Sequence, residues 1–215
     1  MSKHKRLVYG VGTNDADYIT QVWEDLGYVG QKRKRKLVWT CPYYSRWKHM
    51  LHRCYSEKYH AKHNYKDCTV AEDWLLFSNF RKWMVEREWR GLQLDKDILI
   101  LGNKVYSSET CVFVTSKTNS FMLESGKARG EWLIGVCWKE LNKKFQASCK
   151  NPFTDKKEYL GLFDCQYEAH KAWLSKKLEH AYALAAMQTD QRVAKALIER
   201  YENYVPDVAV KEKGV

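Results

Sequence analysis

The sequence predicts an α+β fold, and three observations carry that expectation. Three strand-length runs, 132–138, 144–150 and 157–163, follow one another, separated by KELNKK and NPFTDK, whose Asn, Pro and Asp suit hairpin connections. Residues 43–55 and 73–85 carry apolar side chains at helical spacing. Residues 94–119, LDKDILILGNKVYSSETCVFVTSKTN, read as strand, polar loop, strand and helix start.

Taken in chain order, the N-terminal piece up to Tyr18 begins strand-like and passes through Gly-Val-Gly and Asn-Asp-Ala-Asp, which suits a turn. The run 31–36, QKRKRK, is densely basic and lies beside Gly27 and Gly30. It reads either as a solvated loop or as a loop whose Lys32, Arg33, Lys34 and Arg35 contact phosphates, each releasing a counterion. In 43–55, Trp47, Met50, Leu51 and Cys54 share one helical face. In 73–85, Trp74, Phe77, Phe80, Trp83 and Met84 point inward behind Asp73 as N-cap. The apolar, β-branched run 94–101 is broken by Gly102-Asn103, and 111–114 is a second short strand. Thr115 or Ser116 can then cap a helix that carries Asn119. A hairpin of some 25 residues buries too little apolar surface to stand alone, so the two upstream helices must support it. The linker is placed at 126–130, GKARG, after which the pattern changes. The three strands are followed by a helix over 166–187, whose small residues permit close packing on a sheet. A further helix runs from about 189 to 201, and a frayed tail follows from Pro206.

Composition bounds the partners. The chain has 215 residues, 45% of them hydrophobic, and a formal net charge of +11, which favours a polyanionic partner. Nine Trp and fourteen Tyr are high for this length; some must be core, and some could stack on bases or deoxyriboses. A run of about 18 apolar residues is lacking, as is a signal-peptide pattern, so a soluble, unsecreted protein is expected. Seven cysteines without a CxxC pair imply free thiols in a reducing compartment. Cys41, Cys54, Cys68 and Cys111 could converge on a structural zinc, but their spacing matches no compact knuckle and buried packing is the favoured reading.

Two resemblances sharpen these expectations. The stretch 94–119 resembles the HNH endonuclease pattern of phages and bacteria, in a variant with Asp95-Lys96 in place of the usual Asp-His or His-His. Gly135-Val136-x-Trp138, Lys144-Phe145-x-Ala147, Tyr159-Leu160-Gly161-Leu162-Phe163-Asp164 and Glu168-Ala169-x-x-Ala172-Trp173 resemble the Apetala-type (ethylene-response-factor) DNA-binding domain of plants. Together with YGVGTNDADY and CPYYSRWKHMLHRCYS, these phrases resemble a phage-encoded HNH homing-endonuclease-like family over nearly the whole chain. The resemblance implies an HNH-like module over 1–125 with a ββα-metal core at about 94–124. It further implies an Apetala-like domain over 130–187, a three-stranded antiparallel sheet packed on one helix, and a C-terminal helix and tail over 188–215.

The activity implied is metal-dependent hydrolysis of phosphodiester bonds in duplex DNA, in the cytoplasm of an infected bacterium. By resemblance Asp95 and Asn119 would ligate Mg²⁺ or Mn²⁺, with Asn103 ordering the loop. Asp97, two residues on from Asp95 along a strand, is a rival ligand. Lys96 takes the catalytic place of the histidine. A lysine acts as a base only with a strongly lowered pKa, and His49, His52, His60 or His63 are the other candidates. Trp138, Lys143, Lys144, Gln146 and Lys156 would lie on or beside DNA-facing strands, with Gln146 able to read adenine in bidentate fashion. Three alternatives stand beside this reading: a polar strand start with no metal role, a DNA-binding regulatory protein that does not cut, and a basic protein with an acidic protein partner.

Overall fold

The chain divides into two compact units, residues 1–113 and 114–215. The computed structural model describes residues 7–63, 65–123 and 131–206. The fold is α+β: among the described residues there are six α-helices, three two-stranded sheets and one three-stranded sheet.

In the first unit, β1 (Gln21–Val29) and β2 (Lys32–Thr40) form an antiparallel hairpin turning at Gly30-Gln31. The basic run expected as a loop is therefore the start of a strand. Lys–Arg alternation has no apolar period to betray a strand, because this hairpin buries neither face: all but its two end residues, Gln21 and Thr40, are exposed. Pro42 then opens α1 (Pro42–Tyr55) at its first turn, where the missing N–H costs nothing. A short α2 (Glu57–His60) follows.

The predicted helix over 73–85 is interrupted. A 3₁₀ turn, Glu72–Leu75, is followed by α3 (Phe77–Val85), with Leu76 extended between them. The cause is a backbone bridge to the N-terminal segment: Thr13 N–H donates to Leu75 O at 2.8 Å, and Phe77 N–H donates to Thr13 O at 3.1 Å. Trp47 and Leu51 of α1 and Phe77, Phe80 and Met84 of α3 are each 0% exposed, the faces expected from their spacing. Each such burial contributes about 1.5–3 kcal/mol. Trp74 packs edge-on to Phe80 at 5.0 Å, and its carbonyl accepts the Trp47 indole N–H at 2.7 Å. Gly12 lies so close to this core that a Cβ there would come within 2.4 Å of Leu51.

Short strands complete the unit. β3 (Thr69–Val70) pairs in parallel with β5 (Val105–Tyr106), and β4 (Gln93–Asp95) forms a sheet with β6 (Val112–Val114). The strand expected over 94–101 thus ends at Asp95. Its side chain turns the backbone away, accepting the N–H of Asp97 at 2.8 Å and of Ile98 at 2.9 Å.

The second unit begins with α4 (Ser116–Met122), capped by Thr115, whose hydroxyl accepts the Thr118 N–H at 3.0 Å. It continues with the antiparallel sheet β7 (Val136–Lys139), β8 (Lys144–Lys150) and β9 (Lys157–Phe163), then α5 (Gln166–Ala185) and α6 (Gln191–Glu202). Helix α5 packs across all three strands and α6 packs on α5. Val136, Phe145, Ala147 and Ala169 join Leu133 in the core between sheet and helix. The domain division falls earlier than the linker expected at 126–130, which lies outside the described residues. Its position has a physical cause, since α4 is tied to α5 and α6. The Phe121 carbonyl accepts Lys177 Nζ at 2.9 Å and the Tyr201 hydroxyl at 3.0 Å, and its ring meets Tyr201 edge-on at 5.4 Å. The tail expected after Pro206 also lies outside the described residues. Among the described residues no helix is long and apolar enough to cross a membrane.

Candidate functional site

Asp95 and Asp97 stand at the two ends of a turn that Asp95 itself closes. Burial pushes the Asp95 carboxyl up to a pKa of about 6, and the charge of Asp97 adds to the rise; the two backbone N–H bonds pull against it. A carboxyl in that range is set to exchange a proton near neutral pH. Asp97 does not share a strand face with Asp95, because the strand has ended before it.

Lys96 is turned inward, 6% exposed, with its ammonium 3.0 Å from Asp97 Oδ2 and 5.9 Å from the centroids of both the Tyr65 and Tyr106 rings. Burial works against its charge, but the hydrogen bond and charge of Asp97, with Cys68 and Asp95 behind them, outweigh it and raise the Lys96 pKa. A lysine held charged is no general base. It neutralises the carboxylates from the protein side. Asn103 sits on the same loop: its amide N–H₂ donates to Lys96 O and to Val105 O, both at 2.7 Å, and its Oδ1 accepts Val105 N–H at 3.2 Å.

The upstream histidines gather on aromatic rings. His52 and His63 both pack on Tyr59, at 4.9 and 4.2 Å between centroids, and Tyr59 lies 5.6 Å from Tyr65, the ring under Lys96. The His60 ring nitrogen Nε2 is 2.8 Å from Arg53 O. His49 is pushed down in pKa by burial and by the charges of Arg53 and Arg46, so it stays neutral to lower pH than an ordinary histidine and is a weaker base. Asn119 lies on α4, in the second unit, and the cluster around Asp95 is drawn from the first.

Cys41, Cys54, Cys68 and Cys111, the zinc candidates of the sequence, are all buried free thiols. Among the described residues no group of three or more His, Cys, Asp or Glu side chains is gathered to hold a metal ion. Cys41 is 3.6 Å from the Tyr18 hydroxyl, and burial pushes the Cys54 and Cys111 thiols up to about 12. Mg²⁺ asks for less, one or two carboxylates with water filling the remainder. The Asp95–Asp97 turn fits that requirement, since a bound cation would favour the charged form of Asp95 that burial, and after it the charge of Asp97, disfavours.

The second unit presents a different surface. Phe145, Ala147 and Cys149 of β8 face the helix and are buried. Residues alternate across a strand and direct cross-strand partners share a face. The opposite face therefore carries Lys144, Gln146 and Lys150 of β8, with Lys139 and Cys137 beside them on β7 and Leu162, Tyr159 and Lys157 on β9. Gln146 is central, between Cys137 and Leu162, and Tyr159 is 63% exposed. Trp138 is not on this face. It pairs with Phe145 and packs on its ring at 4.8 Å, on the helix side, with its indole N–H donating to Glu140 at 2.6 Å. Lys143 occupies the β7–β8 turn with φ +53° and pairs with Glu140, and Lys156 lies in the β8–β9 turn.

Lys32, Arg33, Lys34 and Arg35 lie on the exposed β2, with Arg33 paired to Asp25 across the hairpin. Sequence reasoning missed Lys139, Lys157 and Tyr159 on the sheet face, because only the cross-strand register places them on the side of Gln146. It also missed Tyr65 and Tyr106 against Lys96, and Arg53 over the Tyr65 ring, and no local signal marks these, since they meet only through the tertiary fold. No family model, curated protein or solved structure matches the chain.

Proposed function

We propose that the protein is a metal-dependent DNA endonuclease of the HNH homing type, with its second unit docking on duplex DNA. The observation that carries this reading is the geometry of one turn, in which half-buried Asp95 and Asp97 flank the inward Lys96 and Asp95 accepts the N–H of Asp97 and of Ile98. Asp95 and Asp97 would hold the Mg²⁺, which neutralises the scissile phosphate and the leaving oxygen when bound. Lys96 acts as a positioning residue: it fixes Asp97 and balances charge, and its burial keeps it from the phosphate. The lysines around Gln146 supply backbone contacts, and Gln146 is the group suited to read a base edge.

The test is cleavage of supercoiled plasmid with Mg²⁺ or Mn²⁺ by wild type and by Asp95→Asn. The amide keeps the turn's acceptor and removes the charge. Nicking or linearisation by wild type alone supports the assignment; equal cleavage by both removes Asp95 from the site.

A second reading, a duplex-binding regulatory protein that does not cut, is favoured by one observation. The residue in the place of the histidine is a lysine whose pKa is raised, so it accepts no proton at neutral pH. Retarded DNA mobility without cleavage by either form selects this reading.

A further inference from the structure

We propose that the β1–β2 hairpin is a DNA-docking arm that lies in the major groove of duplex DNA with its lysine face turned to the phosphates. The inference rests on the reading of DNA as partner but concerns a separate element, one that the sheet of the second unit does not need.

The hairpin has its backbone ladder but buries neither face. An isolated two-stranded ribbon is marginal in water. Here 16 of the 18 strand residues are exposed, among them Trp23 at 49%, Tyr28 at 71% and Trp39 at 47%. Such a ribbon gains its burial from a partner. Its composition selects the partner: five consecutive basic residues, Lys32 to Lys36, against Glu24 and Asp25. A second copy would bring two such runs together, and like charges repel.

The register sorts these charges onto two faces. Lys32 pairs with Val29 and Lys36 with Glu24, so Lys32, Lys34 and Lys36 form a row on one side. Arg33 and Arg35 lie on the other, opposite Tyr28 and Asp25, and Arg33 is held by Asp25. The lysine row is the face with most uncommitted positive charge, spaced at about 6.8 Å along the strand. Nine-residue strands reach about 30 Å, close to one turn of duplex at roughly 34 Å, and the major groove, about 12 Å wide, admits a two-stranded ribbon.

The experiment compares duplex binding by the full chain with that of the triple variant Lys32→Gln/Lys34→Gln/Lys36→Gln, as a function of salt. All three positions are exposed, and circular dichroism checks that the fold is kept. The expected result is at least about tenfold weaker binding at 0.1 M salt, with the slope of log K against log salt reduced by about 2.7, the value for three released counterions. An unchanged affinity and slope overturns the proposal while leaving the DNA reading in place. A wild-type chain that binds no duplex overturns both. Salt-sensitive self-association lost in the variant, with DNA binding unaltered, would assign the ribbon to contact between copies and overturn the proposal.

Discussion

Trp173 of α5 fills the space that any side chain at residue 135 would need: a Cβ on Gly135 would come within 2.0 Å of its Cγ. Gly135 also has φ +82°, a conformation that L side chains rarely adopt. The strand entering the sheet and the helix covering it therefore meet without an intervening side chain.

Gly135→Ala should accordingly destabilise the second unit by about 3 kcal/mol or more, from overpacking and backbone strain together. Urea unfolding followed by tryptophan fluorescence measures this. A loss below about 1 kcal/mol would mean that Trp173 can shift aside.

The Asp95 carboxyl predicts a pH dependence of stability. Its folded pKa of about 6 lies above the ordinary value of 3.8, so the folded chain binds this proton more tightly than the unfolded chain. The stabilisation is full below about pH 4 and is lost as pH rises through about 6. Asp95→Asn removes this contribution while keeping the N–H acceptor. The variant should gain on wild type between pH 4 and 7, by up to about 3 kcal/mol. Parallel melting curves for both proteins across that range measure the difference, and a constant gap would contradict the raised pKa.

Tyr201→Phe should cost about 1 kcal/mol, since it deletes a buried hydrogen bond to Phe121 O while keeping the ring contact. Because Lys177 also reaches that carbonyl, the acceptor keeps a partner and the loss stays moderate. Thermal unfolding at fixed pH provides the measurement.

On the sheet face, Gln146→Ala and Lys157→Gln should behave differently. Removing Gln146 should relax preference among binding sites with little change in salt response. Removing Lys157 should weaken all duplexes alike and lower the salt slope by about 1. Competition binding with varied duplexes at two salt concentrations separates the two effects.

Legibility in the sequence followed how local each cause is. The strands 144–150 and 157–163 emerge with the bounds expected, because their apolar alternation and turn residues are local. The helix break at Leu76 depends on Thr13, and the early end of β4 depends on the choice Asp95 makes between strand and turn, so neither is visible in a short window of sequence. The hairpin was hidden for the opposite reason: with neither face buried, its sequence carries a run of like charges but no hydrophobic alternation. At the candidate site, the acidic pair and the lysine were legible as residue types. The inward turn of Lys96, which decides its chemistry, was not, since Tyr65 and Tyr106 come to it from elsewhere in the chain.

The attachment of α4 through Phe121 to Lys177 and Tyr201 has a practical consequence for dissecting the molecule. A fragment started after the glycines at 126 and 130, where composition invites the cut, would discard a helix that closes its own hydrophobic interior and leave Tyr201 and Lys177 facing water. A fragment started at Val114 carries that helix with it. The shorter piece should be prone to aggregate and the longer one should behave as an independent folding unit, so the place of scission, well upstream of the obvious one, decides whether the isolated half can be handled at all.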